Sequence, residues 1–362
     1  MTDFVTTEVQ GGIGYLTLTR PHALNALSLD MIRAITQALN GWAADPKVVA
    51  VVVAGAGGKA FCAGGDIRYF HKAAQEGDPL LDQFFVEEYA LNFLVHRYAK
   101  PYIALMDGVV MGGGMGISQG ARLRLVTERT KMAMPETNIG LFPDVGGGWF
   151  LSRTPGHVGE YLGLTGALIG AADALYAGLA DAYLPGNALA ELVASLRTQQ
   201  FDSGDAVLAH IAAFTSQHAD DCVPSQSQLA VLRDQIDRIF AGTTVQDILA
   251  TVSDAEGDWA AQTAAMLRSR SPLMLCVTLE QIRRARSMSL EDELRMELGM
   301  MYYVFRKGDA VEGIRALAID KDHKPRWQNT RLDEVSREKV RSFFDSPWRA
   351  NAHPLAALGG SA

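Results

Sequence analysis

Residues 101–118 read "PYIALMDGVVMGGGMGIS". The pattern predicts a buried strand over "PYIALMDGVV" that runs directly into three glycines, Gly112, Gly113 and Gly114, which open a helix. Glycine at such a junction leaves backbone N–H groups uncovered by any Cβ. The first N–H groups of a helix have no intrahelical acceptor and carry partial positive charge, so two of them aimed at one oxygen would polarise a carbonyl. From glycine alone, a turn that needs small residues merely to pack explains the run at least as well.

Upstream of this junction the order is strand, helix, strand. "IGYLTLTR" alternates as a strand does, "SLDMIRAITQALNGWA" starts at Ser28 as an N-cap and repeats apolar residues at helical spacing, and "VVAVVVAG" has the β-branched density of a buried strand. Downstream, "RLRLVTE" and "KMAMPE" read as two short strands. From about Asn187 the periodicity becomes helical: "NALAELVASLRTQQ", "SQLAVLRDQIDRIFAG", "TVQDILATV", "DWAAQTAAMLRSR", "SPLMLCVTLEQIRRARS" and "SLEDELRMELGMMYYVFRKG", the last with Ser289 and Asp292 at its start. The expected division is therefore a core over 1–186 and an α-helical region over 187–362. Within the last helix, "MELGMMYYVF" reads as a core or subunit-contact stripe rather than a cofactor box.

The 362 residues are 48% hydrophobic and 20% charged with a formal net charge of -8, which describes a globular chain and disfavours nucleic acid as a partner. Cys62, Cys222 and Cys276 are far apart, with no CxxC or Cys/His spacing of a zinc site. No metal is expected, and the sparse thiols suit a reducing compartment. The start "MTDFVTTEVQGG" has neither the basic and apolar regions of a signal peptide nor an arginine-rich presequence, and no run of ~18 apolar residues offers a membrane span. A cytoplasmic location without membrane association is the expectation.

Nucleotide chemistry fits the glycines poorly. In "GAGGKAF" Val53 stands where a Walker A loop needs its first glycine and Ala60 where it needs Ser or Thr; in "GGGMGI" Ile117 replaces the third glycine of a dinucleotide fingerprint. No glycine-x-serine-x-glycine elbow is present. Cys62 has no histidine nearby in sequence to lower its pKa, which disfavours a thiol nucleophile. What remains unusual is "PETNIGLFPDVGGG", residues 135–148, where Glu136 and Asp144 stand in an apolar, glycine-rich run.

Three segments together, "GKAFCAGGDI" at 58–67, "MGGGMGIS" at 111–118 and "MPETNIGLFPDVGG" at 134–147, resemble in order and spacing the crotonase (enoyl-CoA hydratase/isomerase) superfamily of acyl-CoA enzymes. The likeness covers about Val5 to Pro185. "EEYALN", "FPDVGGGWFLSR" and "EGIRALAIDKDHKPRW" extend it to nearly the whole chain and resemble the 3-hydroxyisobutyryl-CoA hydrolases of that superfamily more closely than its hydratases.

The resemblance implies an α/β spiral core of repeated β-β-α turns followed by helices. It also implies that the thioester oxygen lies between the N–H groups of Gly65 and Gly113, and that the turn "AGGDI" holds the CoA adenine through backbone around Ala63, Asp66 and Ile67. Arg20, Lys59 and Arg68 are candidates for CoA phosphates. Hydratases of this superfamily carry a glutamate three residues beyond the second oxyanion glycine; here that position is Gly116, so the two-glutamate addition of water is put in doubt while Glu136 survives. For hydrolysis, Glu136 would attack the carbonyl or activate water, Asp144 would accept a hydrogen bond from a 3-hydroxyl, and Glu88 would lie near the substrate. Gly140 and Pro143 argue against a continuous helix between the two acids.

The function implied is cleavage of 3-hydroxyisobutyryl-CoA in valine breakdown, with CoA as part of the substrate and no separate cofactor. A divergent hydratase or isomerase, and a non-catalytic acyl-CoA binder, are the alternatives. A homo-oligomer is left open: helical tails of this superfamily build trimers and dimers of trimers, whereas the longer tail here could fold back on its own core.

Overall fold

The computed structural model describes residues 2–360. Nine strands are present among them: β1 (Val5–Gln10), β2 (Ile13–Leu18), β3 (Ala50–Gly55), β4 (Ala60–Cys62), β5 (Tyr102–Met106), β6 (Val109–Met111), β7 (Leu123–Val126), β8 (Lys131–Ala133) and β9 (Ala182–Tyr183). They form two sheets, one ordered β1-β2-β3-β5-β7-β9 and the other β4-β6-β8. β1 is antiparallel to β2, while β2, β3, β5, β7 and β9 are parallel neighbours.

Successive strands alternate between the sheets: β3 then β4, β5 then β6, β7 then β8. Each such pair, followed by helix, is one β-β-α turn of the spiral that the family resemblance implies. The single strand expected over "PYIALMDGVV" is in fact two, β5 in one sheet and β6 in the other. Gly108 makes the break at φ +79, where a Cβ would lie 2.4 Å from the Lys59 carbonyl oxygen. Only glycine accepts both the backbone angle and that approach.

The chain packs as two compact units, residues 1–65, 91–132 and 168–231 in one, and 66–90, 133–167 and 232–362 in the other. The composition change near 186 marks where strands end, and each unit takes residues from both sides of it. In the first unit, Ile13, Val52, Ile103, Leu105 and Leu125 of the larger sheet bury against Leu189, Leu192 and Leu196 of helix Gly186–Thr198 and Val207 and Ile211 of helix Gly204–Ser216. Val51 and Val53 are buried as well, which is why β3 reads as an unbroken apolar run. Helix Leu29–Ala44 begins as expected, with the Ser28 hydroxyl accepting from the Met31 N–H at 3.3 Å.

The second unit is helical. Phe70, Phe84, Phe85 and Phe305 pack ring against ring in it, some pairs edge-on and others tilted. Helix Leu290–Lys307 is capped by Ser289 as its sequence predicts, and helix Pro272–Ala285 is capped by Ser271. "SQLAVLRDQIDRIFAG", expected as one helix, is two, Gln228–Val231 and Arg233–Phe240, separated at Leu232. In "EGIRALAIDKDHKPRW" the charges bind one another: Arg315 bridges Glu312, Asp320 and Asp322.

Candidate active site

In the first unit, β4 and β6 run parallel, Ala60 opposite Val109 and Cys62 opposite Val110, so the two glycine turns leave the sheet side by side. A Cβ built on Gly64 would lie 3.7 Å from the Gly113 nitrogen, and one on Gly114 would lie 2.2 Å from the Cys62 carbonyl oxygen. Gly114 thus permits helix Gly113–Gln119 to close against β4. Gly113 is the first residue of that helix, and Leu27 donates to the Gly64 carbonyl beside Gly65 at 2.8 Å. Among the described residues neither the Gly65 nor the Gly113 N–H donates to a protein acceptor. Gly116 is buried inside the same helix, so no side chain projects where a hydratase glutamate would stand.

The neighbouring turn is partly committed to structure. The Ala63 N–H donates to the Leu24 carbonyl at 3.0 Å, and Asp66 caps helix Ile67–Glu76 by accepting from the Tyr69 N–H at 3.2 Å. Asp66 therefore has a capping role that accounts for its carboxylate. Arg20 donates to the Ala26 carbonyl at 3.1 Å, whereas Lys59 and Arg68 are exposed.

In the second unit, Glu88, Glu136 and Asp144 are all buried, at 2%, 6% and 7% exposure. Glu136 opens a single 3₁₀ turn, Glu136–Ile139, closed by Gly140 at φ +69; as expected, no helix continues to Asp144. Asp144 accepts a hydrogen bond from the Tyr89 hydroxyl at 2.9 Å. Glu136 Oε2 and Glu88 Oε1 find no hydrogen-bond partner among the described residues. Buried oxygens left bare in a folded chain call for a ligand or water, because an unpaired buried acceptor is costly.

Burial is the main cause that pushes all three carboxyls up in pKa, and their mutual repulsion adds to it. Asp144 rises to about 7, with Glu297 as the next contributor and the Tyr89 hydrogen bond opposing. Glu136 rises well above the ordinary carboxylate range through burial and then Asp144; Glu88 does so through burial, Asp144 and Glu136. A carboxyl with raised proton affinity is a stronger base once ionised.

The sequence singles out Glu88, Glu136 and Asp144 as candidates but not what surrounds them. Tyr89 is one residue beyond Glu88 and meets Asp144 across 55 positions of sequence. Glu297, fully buried, accepts from the Gly146 N–H at 2.8 Å and the Gly148 N–H at 3.2 Å, and Gln281 donates to it at 2.8 Å. Glu293 is also fully buried, and neither of its oxygens has a hydrogen-bond partner among the described residues. The only local signal was a pair of acids, four apart, in an otherwise apolar helical stripe. Asn92, in the first unit, is buried, and neither of its amide atoms has a hydrogen-bond partner among the described residues.

Comparison with known proteins fits this arrangement. The family model for enoyl-CoA hydratase/isomerase matches residues 13–344. The chain is 40% identical to a 3-hydroxyisobutyryl-CoA hydrolase, mitochondrial, of Xenopus laevis over 93% of its own length and 87% of that protein's. Among solved structures, a carnitinyl-CoA dehydratase from Mycobacterium thermoresistibile is 38% identical with a TM-score of 0.90, covering 99% of this chain and 100% of that one. An enoyl-CoA hydratase from Rhodobacter sphaeroides 2.4.1 is 39% identical with a TM-score of 0.86, covering 95% and 98%. With three glycine and acid segments in family order and a family match over most of its length, the chain belongs to the enoyl-CoA hydratase/isomerase (crotonase) family.

Proposed function

We propose that this protein is a thioesterase that cleaves 3-hydroxyisobutyryl-CoA to 3-hydroxyisobutyrate and CoA, a step of valine breakdown. The observation that carries the reading is the pairing of Glu136 with Asp144 in one buried acid cluster while position 116 is glycine. The name of the Xenopus laevis relative supports the same substrate. In this reading the N–H groups of Gly65 and Gly113 take the charge that develops on the thioester oxygen, and losing one such donor typically costs ~3 kcal/mol of transition-state stabilisation. Glu136 supplies the attack, either by bonding to the carbonyl carbon, in which case water then hydrolyses the mixed anhydride and frees Glu136, or by taking a proton from the water that attacks. The C–S bond breaks and CoA leaves as thiol once protonated. Asp144 accepts the 3-hydroxyl, and Glu88 lines the acyl region.

Water is the only co-reactant, so no cofactor or metal is called for; CoA arrives with the substrate. The backbone around Ala63, Asp66 and Ile67 is proposed for the adenine. Among the described residues no helix is long and apolar enough to cross a membrane. We place the protein in the cytoplasm, a location supported by three free cysteines, although the relatives are named mitochondrial.

The names of the two solved structures favour a second reading, hydration of an enoyl-CoA or the reverse dehydration. Incubation with 3-hydroxyisobutyryl-CoA and a thiol reagent separates the two. Release of CoA well above background is expected; its absence, with loss of enoyl absorbance from crotonyl-CoA, would establish the hydratase. Tight binding without either reaction would identify a non-catalytic binder.

A further inference from the structure

Glu297 sits on helix Leu290–Lys307, about 150 residues beyond the segment it binds. Its Oε2 takes the Gly146 N–H and its Oε1 the Gly148 N–H. Gln281, on helix Pro272–Ala285, donates from Nε2 to the same Oε1 at 2.8 Å and to the Pro143 carbonyl at 2.7 Å. Asp144 therefore lies between peptide groups anchored on either side of it. Val145, the next residue, has φ +56, in the left-handed region that a β-branched side chain rarely adopts. A conformation of that kind persists only where the surroundings hold it.

We propose that Glu297 is the positioning residue for Asp144: by gathering the Gly146 and Gly148 N–H groups, and the Pro143 carbonyl through Gln281, it fixes the loop that presents Asp144 to the substrate's hydroxyl. The proposal rests on the thioesterase reading for the hydroxyl, but the clamp itself is independent of it. A buried carboxyl is an expensive way to fill helix core, and an apolar residue would pack there without needing partners. Three N–H groups donate to Glu297, while burial and then the neighbouring Glu293, four residues away, push its carboxyl well above the ordinary carboxylate range. Asp144, Glu136 and Tyr89 are the other titratable groups that feel the Glu297 charge.

The test compares wild type with Glu297→Gln and Gln281→Met by hydrogen exchange over residues 142–151. It adds the ratio of kcat/KM for 3-hydroxyisobutyryl-CoA to that for isobutyryl-CoA, followed against pH. In Glu297→Gln a donor NH₂ faces a donor N–H, so exchange at 146 and 148 is expected to quicken at least tenfold. The acyl ratio should fall at least tenfold, and the pH midpoint of kcat/KM should move down as the neighbouring negative charge is removed. Gln281→Met should change exchange and ratio in the same direction by less, and decides the matter if Glu297→Gln cannot be purified folded. Unchanged exchange at 142–151, or a rise spread evenly over the chain, overturns the clamp. Quickened local exchange with an unchanged acyl ratio and pH midpoint overturns the link to Asp144. If wild type releases CoA from no 3-hydroxyacyl-CoA, the thioesterase reading fails, and exchange still decides whether Glu297 holds the loop.

Discussion

Glu136 and Asp144 share one cluster but differ in what meets their oxygens. Asp144 is held by the Tyr89 hydroxyl, whereas Glu136 leaves Oε2 bare, the condition of a group whose partner is a substrate or water. Glu136→Gln keeps the shape and removes the carboxylate proposed as base or nucleophile. Turnover is expected to fall by about 10²–10⁴-fold, with CoA-ester affinity by calorimetry changing only a few-fold; undiminished CoA release would remove Glu136 from the chemistry. Asp144→Asn should instead erode selection for the hydroxylated acyl chain, because the group left unpaired by a chain without hydroxyl is no longer a carboxylate. Equal proportional losses on 3-hydroxyisobutyryl-CoA and isobutyryl-CoA would contradict that role.

At the scale of elements, two short strands and one short helix place the N–H groups of Gly65 and Gly113, the proposed oxyanion donors. β4 and β6 are three residues each, so their alignment depends on close approach of the turns that follow rather than on a long hydrogen-bonded ladder. Gly114→Ala would put a Cβ 2.2 Å from the Cys62 carbonyl oxygen, where backbone, not a flexible side chain, must yield. The expected result is at least a tenfold loss of kcat, on the scale of a disturbed oxyanion donor, with the far-ultraviolet circular dichroism unchanged. Wild-type kcat in this variant would show that Gly113 does not depend on the fit. The Glu136 turn is held in a similar way: Gly140 at φ +69 brings the chain so near Asp309 that a Cβ would sit 2.4 Å from its carbonyl oxygen.

Across the whole molecule, Glu88, Glu136, Asp144, Glu293 and Glu297 are buried in the second unit with raised proton affinity. Glu293 rises from 4.5 to about 7, chiefly through burial. Folded protein then keeps a proton that the unfolded chain releases, so stability is greatest below pH 4.5 as far as this group is concerned. It is lost as pH rises towards about 7 and levels off above that. At ~1.4 kcal/mol per unit, the loss is on the order of 3 kcal/mol. Glu312, held low mainly by its hydrogen bond from Arg315, acts with the opposite sign at lower pH. Urea unfolding at pH 5 and pH 8 should therefore show a drop for wild type that shrinks in Glu293→Gln. The same drop in both would mean that Glu293 is not the group titrating.

The strand-helix-strand opening, the Ser28 and Ser289 caps and the glycine-opened helix at 113 were legible in the sequence because each depends on neighbours within a few residues. Glu136, Asp144, Gly65 and Gly113 are singled out by motifs that are themselves local, and their roles stay with the proposed function. Tertiary structure decided the rest. It split 101–111 between two sheets, since Gly108 answers to the Lys59 carbonyl far from it in sequence. It also buried Glu88, whose helix reads as well for a surface face, and brought Tyr89, Gln281, Glu293 and Glu297 to the acids. A carboxyl's proton affinity and its hydrogen-bond donors are set by whatever the fold packs around it, and for Asp144 those groups come from 55 residues before it and from helices beyond residue 271.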